Sequence, residues 1–170
     1  AIRKSESKSY GYIILPVYLG ETENISEELM ASRFKDIWEI ILALKSQDDS
    51  LTEILDRLRI ELGKRGGTSA REEGLEKIIF DIPQRVQARI AESLRTILIK
   101  NTTDDWHEMY GLLQRYWEEH KSLPLTGKNA SRYFGKNLGA WVNKQRNNKD
   151  RMSRQRVDLL NKLSFWVWDP

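Results

Sequence analysis

Apolar residues recur at three- and four-residue spacing along most of this chain. That period constrains the fold more than any other feature, because it is the signature of helices with one buried side. Six stripes show it. They run Met30, Phe34, Ile37, Trp38, Ile41, Leu42; then Leu51, Ile54, Leu55, Leu58, Leu62; then Val86, Ile90, Leu94, Ile97, Leu98. Further on come Trp106, Met109, Tyr110, Leu113, Trp117; then Leu138, Trp141, Val142 with Gln145 inward; then Val157, Leu160, Leu163. Helix starts sit where the stripes need them. Ser26 precedes Glu27 and Glu28, Ser50 and Glu53 form a capping box, Thr103 or Asp104 opens the fourth stripe, and Ser153 the last. Gly63 reads as a helix stop.

Two short segments break the pattern. Tyr10–Val17 is aromatic and β-branched, as a strand is, with Pro16 confining it to an edge or an end. Ile78–Ile82 is a second strand candidate. The expected fold is therefore mainly α: a C-terminal three-helix bundle, preceded by a helical region with one or two short β-strands.

Charge and tryptophan place a boundary. Residues 1–100 carry 16 basic and 17 acidic side chains, whereas residues 101–170 carry 12 and 8. Trp38 stands alone in the first part, while Trp106, Trp117, Trp141, Trp166 and Trp168 crowd the second. Both shifts fall near Lys100–Thr103. At helical spacing the tryptophans read as core. Trp166 and Trp168 alternate, so one is expected inside and the other outside, where it could stack on an unpaired base.

Several functions are excluded by what the sequence lacks. With 39% hydrophobic and 31% charged residues it is globular. The longest apolar run, Ile13–Leu19, is too short to span a bilayer, so no membrane partner is expected. There is no cysteine and only His107 and His120, which leaves no metal site of the usual kinds and fits a reducing, cytoplasmic setting. Thr126-Gly127-Lys128-Asn129 has the Gly-Lys pair of a phosphate loop. It lacks the first glycine, where Ser122 stands, and the final hydroxyl, where Asn129 stands. Asp48-Asp49 and Asp104-Asp105 read as helix caps, Glu72-Glu73 as solvated, and the histidines as half-buried. No catalytic set is legible, and no cofactor is expected in this chain.

One constellation does carry chemistry. Lys128–Lys162 holds 10 basic and 2 acidic residues. A helix near Lys136–Asn148 with Leu138, Trp141 and Val142 inward puts Lys136, Asn143, Lys144 and Asn147 outward, with Arg146 flanking. Arg151, Arg154 and Arg156 follow. Cations neutralise phosphates, and Asn143, Asn147 and Gln145 are candidates for base or sugar contacts, although Gln145 also fits the inward side. The expected partner is nucleic acid, DNA in particular. The other reading is a protein-interaction module that docks on a partner protein through exposed aromatics.

Residues 104–170 resemble the helicase-associated domain, a short helical module found behind the motor of some bacterial superfamily 2 helicases of the DEAD/DEAH type. The resemblance lies in Trp106, Leu112/Leu113 to Tyr116, Glu119-His120 and Leu123-Pro124. It continues through Leu138-Gly139-Ala140-Trp141-Val142-Asn143-Lys144-Gln145-Arg146, Met152–Arg156, Leu160 and Leu163–Asp169. Lys121 and Ser164 stand where that family has glycine, which leaves the two turns open. Upstream, Arg3 followed by Tyr10–Val17 resembles the end of the second motor domain, where the matching arginine meets ATP phosphate. The chain starts at Ala1 without Met, which fits a piece of something longer. The resemblance implies residues 1–25 as motor tail, 26–102 as a connecting region and 103–170 as the associated domain. It also implies a parent helicase that uses ATP and Mg, with its motor domains as partners of this module.

Overall fold

A computed structural model of the chain describes residues 34–68, 78 and 88–169. Among them, six α-helices carry the fold: α1 (Lys35–Lys45), α2 (Asp49–Lys64), α3 (Ala88–Thr102), α4 (Asp105–His120), α5 (Leu138–Asn147) and α6 (Arg154–Asn161). Two 3-10 turns, Gly127–Asn129 and Lys149–Arg151, flank α5. Two short antiparallel strands, β1 (Arg132–Tyr133) and β2 (Lys136–Asn137), precede it. The mainly α expectation holds. Arg3, the strand at Tyr10–Val17 and the Ser26 cap lie outside the described residues. So does the second strand candidate, apart from Ile78, which has no regular structure and packs half-buried on the first core.

Two hydrophobic cores form. In the first, Phe34 at the cap position and Trp38 and Ile41 of α1 meet Leu51, Leu55, Leu58 and Leu62 of α2 and Leu94, Ile97, Leu98 and Ile99 of α3. Leu42, read as part of the α1 stripe, is instead 43% exposed. In the second, Trp106, Met109, Tyr110, Leu112 and Leu113 of α4 meet Leu138 and Val142 of α5, Leu160 of α6, and Leu163 and Trp166 beyond it. Tyr110 fixes α6 by donating its hydroxyl to the Leu159 carbonyl at 2.9 Å.

The caps bear out the readings of Asp48 and Asp104 and correct those of Ser50 and Ser153. Asp48, not Ser50, caps α2: its Oδ1 accepts from the N–H groups of Ser50 at 3.0 Å and Leu51 at 3.1 Å. The helix therefore starts at Asp49, before Ser50 can cap it, and Ser50 donates its own hydroxyl to the same Oδ1 at 2.7 Å; the carboxylate charge strengthens these bonds and suits the helix dipole. Ser153 occupies the cap position of α6 but gives no side-chain bond. Asp104 caps α4 through the Trp106 N–H at 2.7 Å. Burial alone would raise the Asp104 carboxyl, but this N–H and the Arg156 guanidinium hold it below the ordinary value.

The strand pair is a hairpin with a two-residue turn, and its second strand takes up the expected helix start at Lys136. Phe134 (φ 47°) and Gly135 (φ 75°) are both left-handed, the geometry that matches strand twist. It ends at Asn137, whose side-chain oxygen caps α5 through the Ala140 N–H at 3.1 Å.

At the C-terminus of α4, Lys121 adopts φ 53° and ψ 24°, with its N–H on the Trp117 carbonyl at 2.8 Å. The turn of a glycine is thus kept by a residue with a Cβ. Left-handed backbone costs a non-glycine residue about 1–2 kcal/mol. We expect Lys121→Gly to stabilise the chain by about 0.5–1 kcal/mol, part of the gain being offset by the looser unfolded chain. An increase in urea midpoint checks this.

The two cores are not separate bodies. α2 and α4 pack along their length, and glycine makes the approach possible. A Cβ on Gly63 would lie 2.1 Å from the Glu108 carbonyl oxygen, and one on Gly111 would lie 2.0 Å from that of Ile60. Gly63 is therefore not the stop of α2, which runs one residue further before Gly66 and Gly67 (φ 77° and 76°) turn the chain. Charged groups line this interface. Arg59 pairs with Asp105 and, at 2.8 Å, with Glu108, while Lys136 reaches the other Glu108 oxygen at 3.0 Å. Arg59 and Glu108 side chains are 3% and 2% exposed. Nearby, Lys45 donates to Asp56 and to the Thr102 carbonyl, each at 3.0 Å.

His107 sits in the same layer, its Nε2 3.7 Å from Asp56. Burial lowers its pKa, and Asp56 and Asp104 only partly oppose that, with Arg156 and Lys45 adding to the lowering. The unfolded chain therefore binds this proton more readily than the folded one. Stability is lost as pH falls through the unfolded histidine value of about 6.5. We expect the urea midpoint to drop between about pH 7.5 and pH 5.5, above the range where carboxylates titrate, and the drop to shrink in His107→Gln.

Candidate nucleic-acid interface

Helix α5 sets the geometry. Leu138, Val142 and Gln145 point into the second core, so Ala140, Asn143, Lys144 and Asn147 share the exposed side. Gln145 belongs to the core: its Oε1 accepts from Trp106 Nε1 at 2.9 Å and its amide donates to the Trp141 carbonyl at 3.2 Å. Those bonds satisfy it inside and use up the groups that a base contact would need.

The arginines divide by what they touch. Arg146 is half-buried, donates from Nε to the Val167 carbonyl at 2.8 Å and lies 5.5 Å over the Trp166 ring. Burial lowers its pKa while Asp169 opposes the shift, and a guanidinium keeps its charge regardless. Arg156 pairs with Asp104 at 2.6 Å and covers Trp106 at 5.1 Å. Arg151, in the turn after α5, is exposed. Arg154 is 95% exposed and only 3.9 Å from Asp158, an i,i+4 pair too loose to hold it.

Lys136 is placed differently from the sequence reading. It lies in β2 rather than on a helix, and its ammonium serves the buried Glu108. The helix starts two residues later than the period suggests, because a hairpin leaves no periodic signal in so short a stretch. Lys149 was missed. It lies past the end of α5, is exposed, and holds its Nζ 4.9 Å over the Trp168 ring. Its only sequence signal was membership of the basic segment.

Asn143, Lys144, Asn147, Lys149, Arg151 and Arg154 thus form an exposed band along α5, the turn beyond it and the start of α6, in which Asp150 is the one acidic residue. No Asp or Glu occurs from His120 to Lys149. The tail is pinned to α6 and α4: Trp168 donates to Asn161 Oδ1 at 2.9 Å, Trp166 and Trp168 meet edge to face, and Phe165 stacks on Trp117. All five tryptophans of this part are at least half-buried. Trp166 is inside, and Trp168, half-buried rather than outside, is the more exposed of the two.

Other chemistry finds little support. Gly127-Lys128-Asn129 forms a 3-10 turn with no helix following it, so it does not build a P-loop cradle. Among the described residues there is no group of three or more potential metal ligands, and no helix is long and apolar enough to cross a membrane.

Residues 103–169 match the family model of the helicase associated domain. The match takes in α4, the hairpin, α5, α6 and the tail, less than half of the chain. No curated protein and no solved structure matches.

Proposed function

We propose that residues 103–169 are the nucleic-acid-docking module of an ATP-dependent DNA helicase of the bacterial superfamily 2 type, and that this chain is a non-catalytic part of it. The carrying observation is the exposed band on α5, its following turn and the start of α6, where Lys144, Lys149, Arg151 and Arg154 outnumber two exposed carboxylates, Asp150 and Asp158. Such a band binds phosphates by releasing counterions. ATP and Mg belong to the motor domains of the parent protein, for which residues 1–25 are the tail and Arg3 a phosphate contact. The module supplies grip while the motor cycles. Cytoplasmic location follows from the same reading. Docking on a partner through exposed aromatics has less support. Among the described residues Phe134 is the only exposed aromatic, and it lies against Gly66 with Arg115 4.4 Å over its ring.

The test is a fluorescence-anisotropy titration of the full chain on labelled DNA across a salt series. Four phosphate contacts give a log–log slope of about −3 to −4. We expect Lys144→Ala with Arg151→Ala to reduce that slope by about two and to leave the urea midpoint unchanged. Salt-independent affinity, or a double variant with wild-type slope, would sink the reading.

A further inference from the structure

The exposed band is more than a row of cations, and its uncharged members narrow the ligand. Asn143 and Asn147 lie one turn apart on the outer side of α5, with Lys144 beside Asn143 and Ala140 one turn earlier. Among the described residues, the side chains of Asn143, Lys144 and Asn147 make no hydrogen bond or ion pair, and all three are exposed. Gln145, on the other side, has two such bonds. A cation-only phosphate binder has no need of a free amide stripe; a reader of base edges does.

The surroundings have the right shape for one kind of nucleic acid. A helix with its side chains is about 10–12 Å across, and the major groove of B-form DNA is about 12 Å wide, so α5 can lie in it. Gly139 lets the chain at Leu125 and Ser131 lie directly against the first turn of α5. This brings exposed Lys128 and Arg132 to one end of the helix, while Lys149 and Arg151 stand at the other. Cations at both ends and amides between them fit two phosphate rims with a groove between. The short Ala140 lets the helix approach closely at its first turn.

Two competing ligands fit less well. Single strands are held by stacking on open aromatic faces, and here the tryptophans are half-buried or buried and Phe134 is covered by Arg115. The major groove of A-form RNA is too narrow and deep for side chains to read.

We infer that the module takes B-form duplex DNA, with α5 in the major groove and Asn143 and Asn147 at base edges. This rests on the docking reading above and narrows it.

The full 170-residue chain would be titrated by anisotropy on four labelled probes of one sequence. These are a DNA duplex, the RNA duplex, a single DNA strand, and a DNA duplex whose cytosines carry glucosylated 5-hydroxymethyl groups. The last fills the major groove and leaves backbone and minor groove intact. The plain duplex should bind about ten-fold tighter than each of the others. Asn143→Ala with Asn147→Ala should lose several-fold affinity for the plain duplex and keep the wild-type salt slope and urea midpoint. Equal affinity for the glucosylated duplex, the RNA duplex or the single strand overturns this inference and leaves phosphate docking standing. A double variant that binds like wild type overturns it too. Failure to bind any probe at low salt overturns both.

Discussion

Gly111→Ala should destabilise this chain by about 3 kcal/mol, the opposite of its effect in an ordinary helix. In a solvated helix interior the same change gains about 1 kcal/mol, because alanine restricts the unfolded chain. Here the added methyl would sit 2.0 Å from the Ile60 carbonyl oxygen and 3.0 Å from the Lys64 nitrogen. Both are backbone atoms, so no side chain can swing away, and α2 and α4 must part. Parting them opens the buried ion cluster and both cores beside it. Gly63→Ala should behave alike, with its methyl 2.1 Å from the Glu108 oxygen. The two changes should not add, since either one already separates the helices. Urea titration measures the effect. A midpoint that rises in Gly111→Ala would show that the helices are not in backbone contact.

The second large effect lies in the same interface. Glu108→Ala should cost about 3–5 kcal/mol, because it leaves Arg59 charged and enclosed with only Asp105 and removes the partner of Lys136. Most of that cost is the stranded cation rather than the lost attraction. Replacing both partners, as Arg59→Met with Glu108→Leu, should therefore recover much of the stability. Raising the salt concentration should change the wild-type midpoint little, since a pair this enclosed is poorly screened. A double variant no better than Glu108→Ala would refute the account.

These two sites also show where sequence reading reaches and where it stops. A stripe such as Leu138, Trp141, Val142 and Gln145 is legible because period alone decides which side is inward, and Gln145 fell on that side. The outward position of Asn143, Lys144 and Asn147 follows from the same period. Glu108 is different. It lies on the polar side of the α4 stripe, so the sequence assigns it to solvent, and only the arrival of α2 encloses it. Gly111 reads as a weak point in a helix until the partner backbone is known. Lys136 was drawn into the helix because a two-residue hairpin is shorter than the window that periodicity needs. Lys121 shows the reverse: the missing glycine suggested an altered turn, yet the left-handed geometry is retained.

The reciprocal glycine contact has a mechanical consequence. Helices separated by side chains can slide or roll as rotamers change, and such joints absorb displacement. Where one backbone rests on the other, that slack is gone. A load applied at α5 passes through the second core to α4, and from α4 to α2 without play. The first core is then carried along with it. The joint behaves as a weld rather than a tether, and a pull felt at one end is a movement delivered at the other.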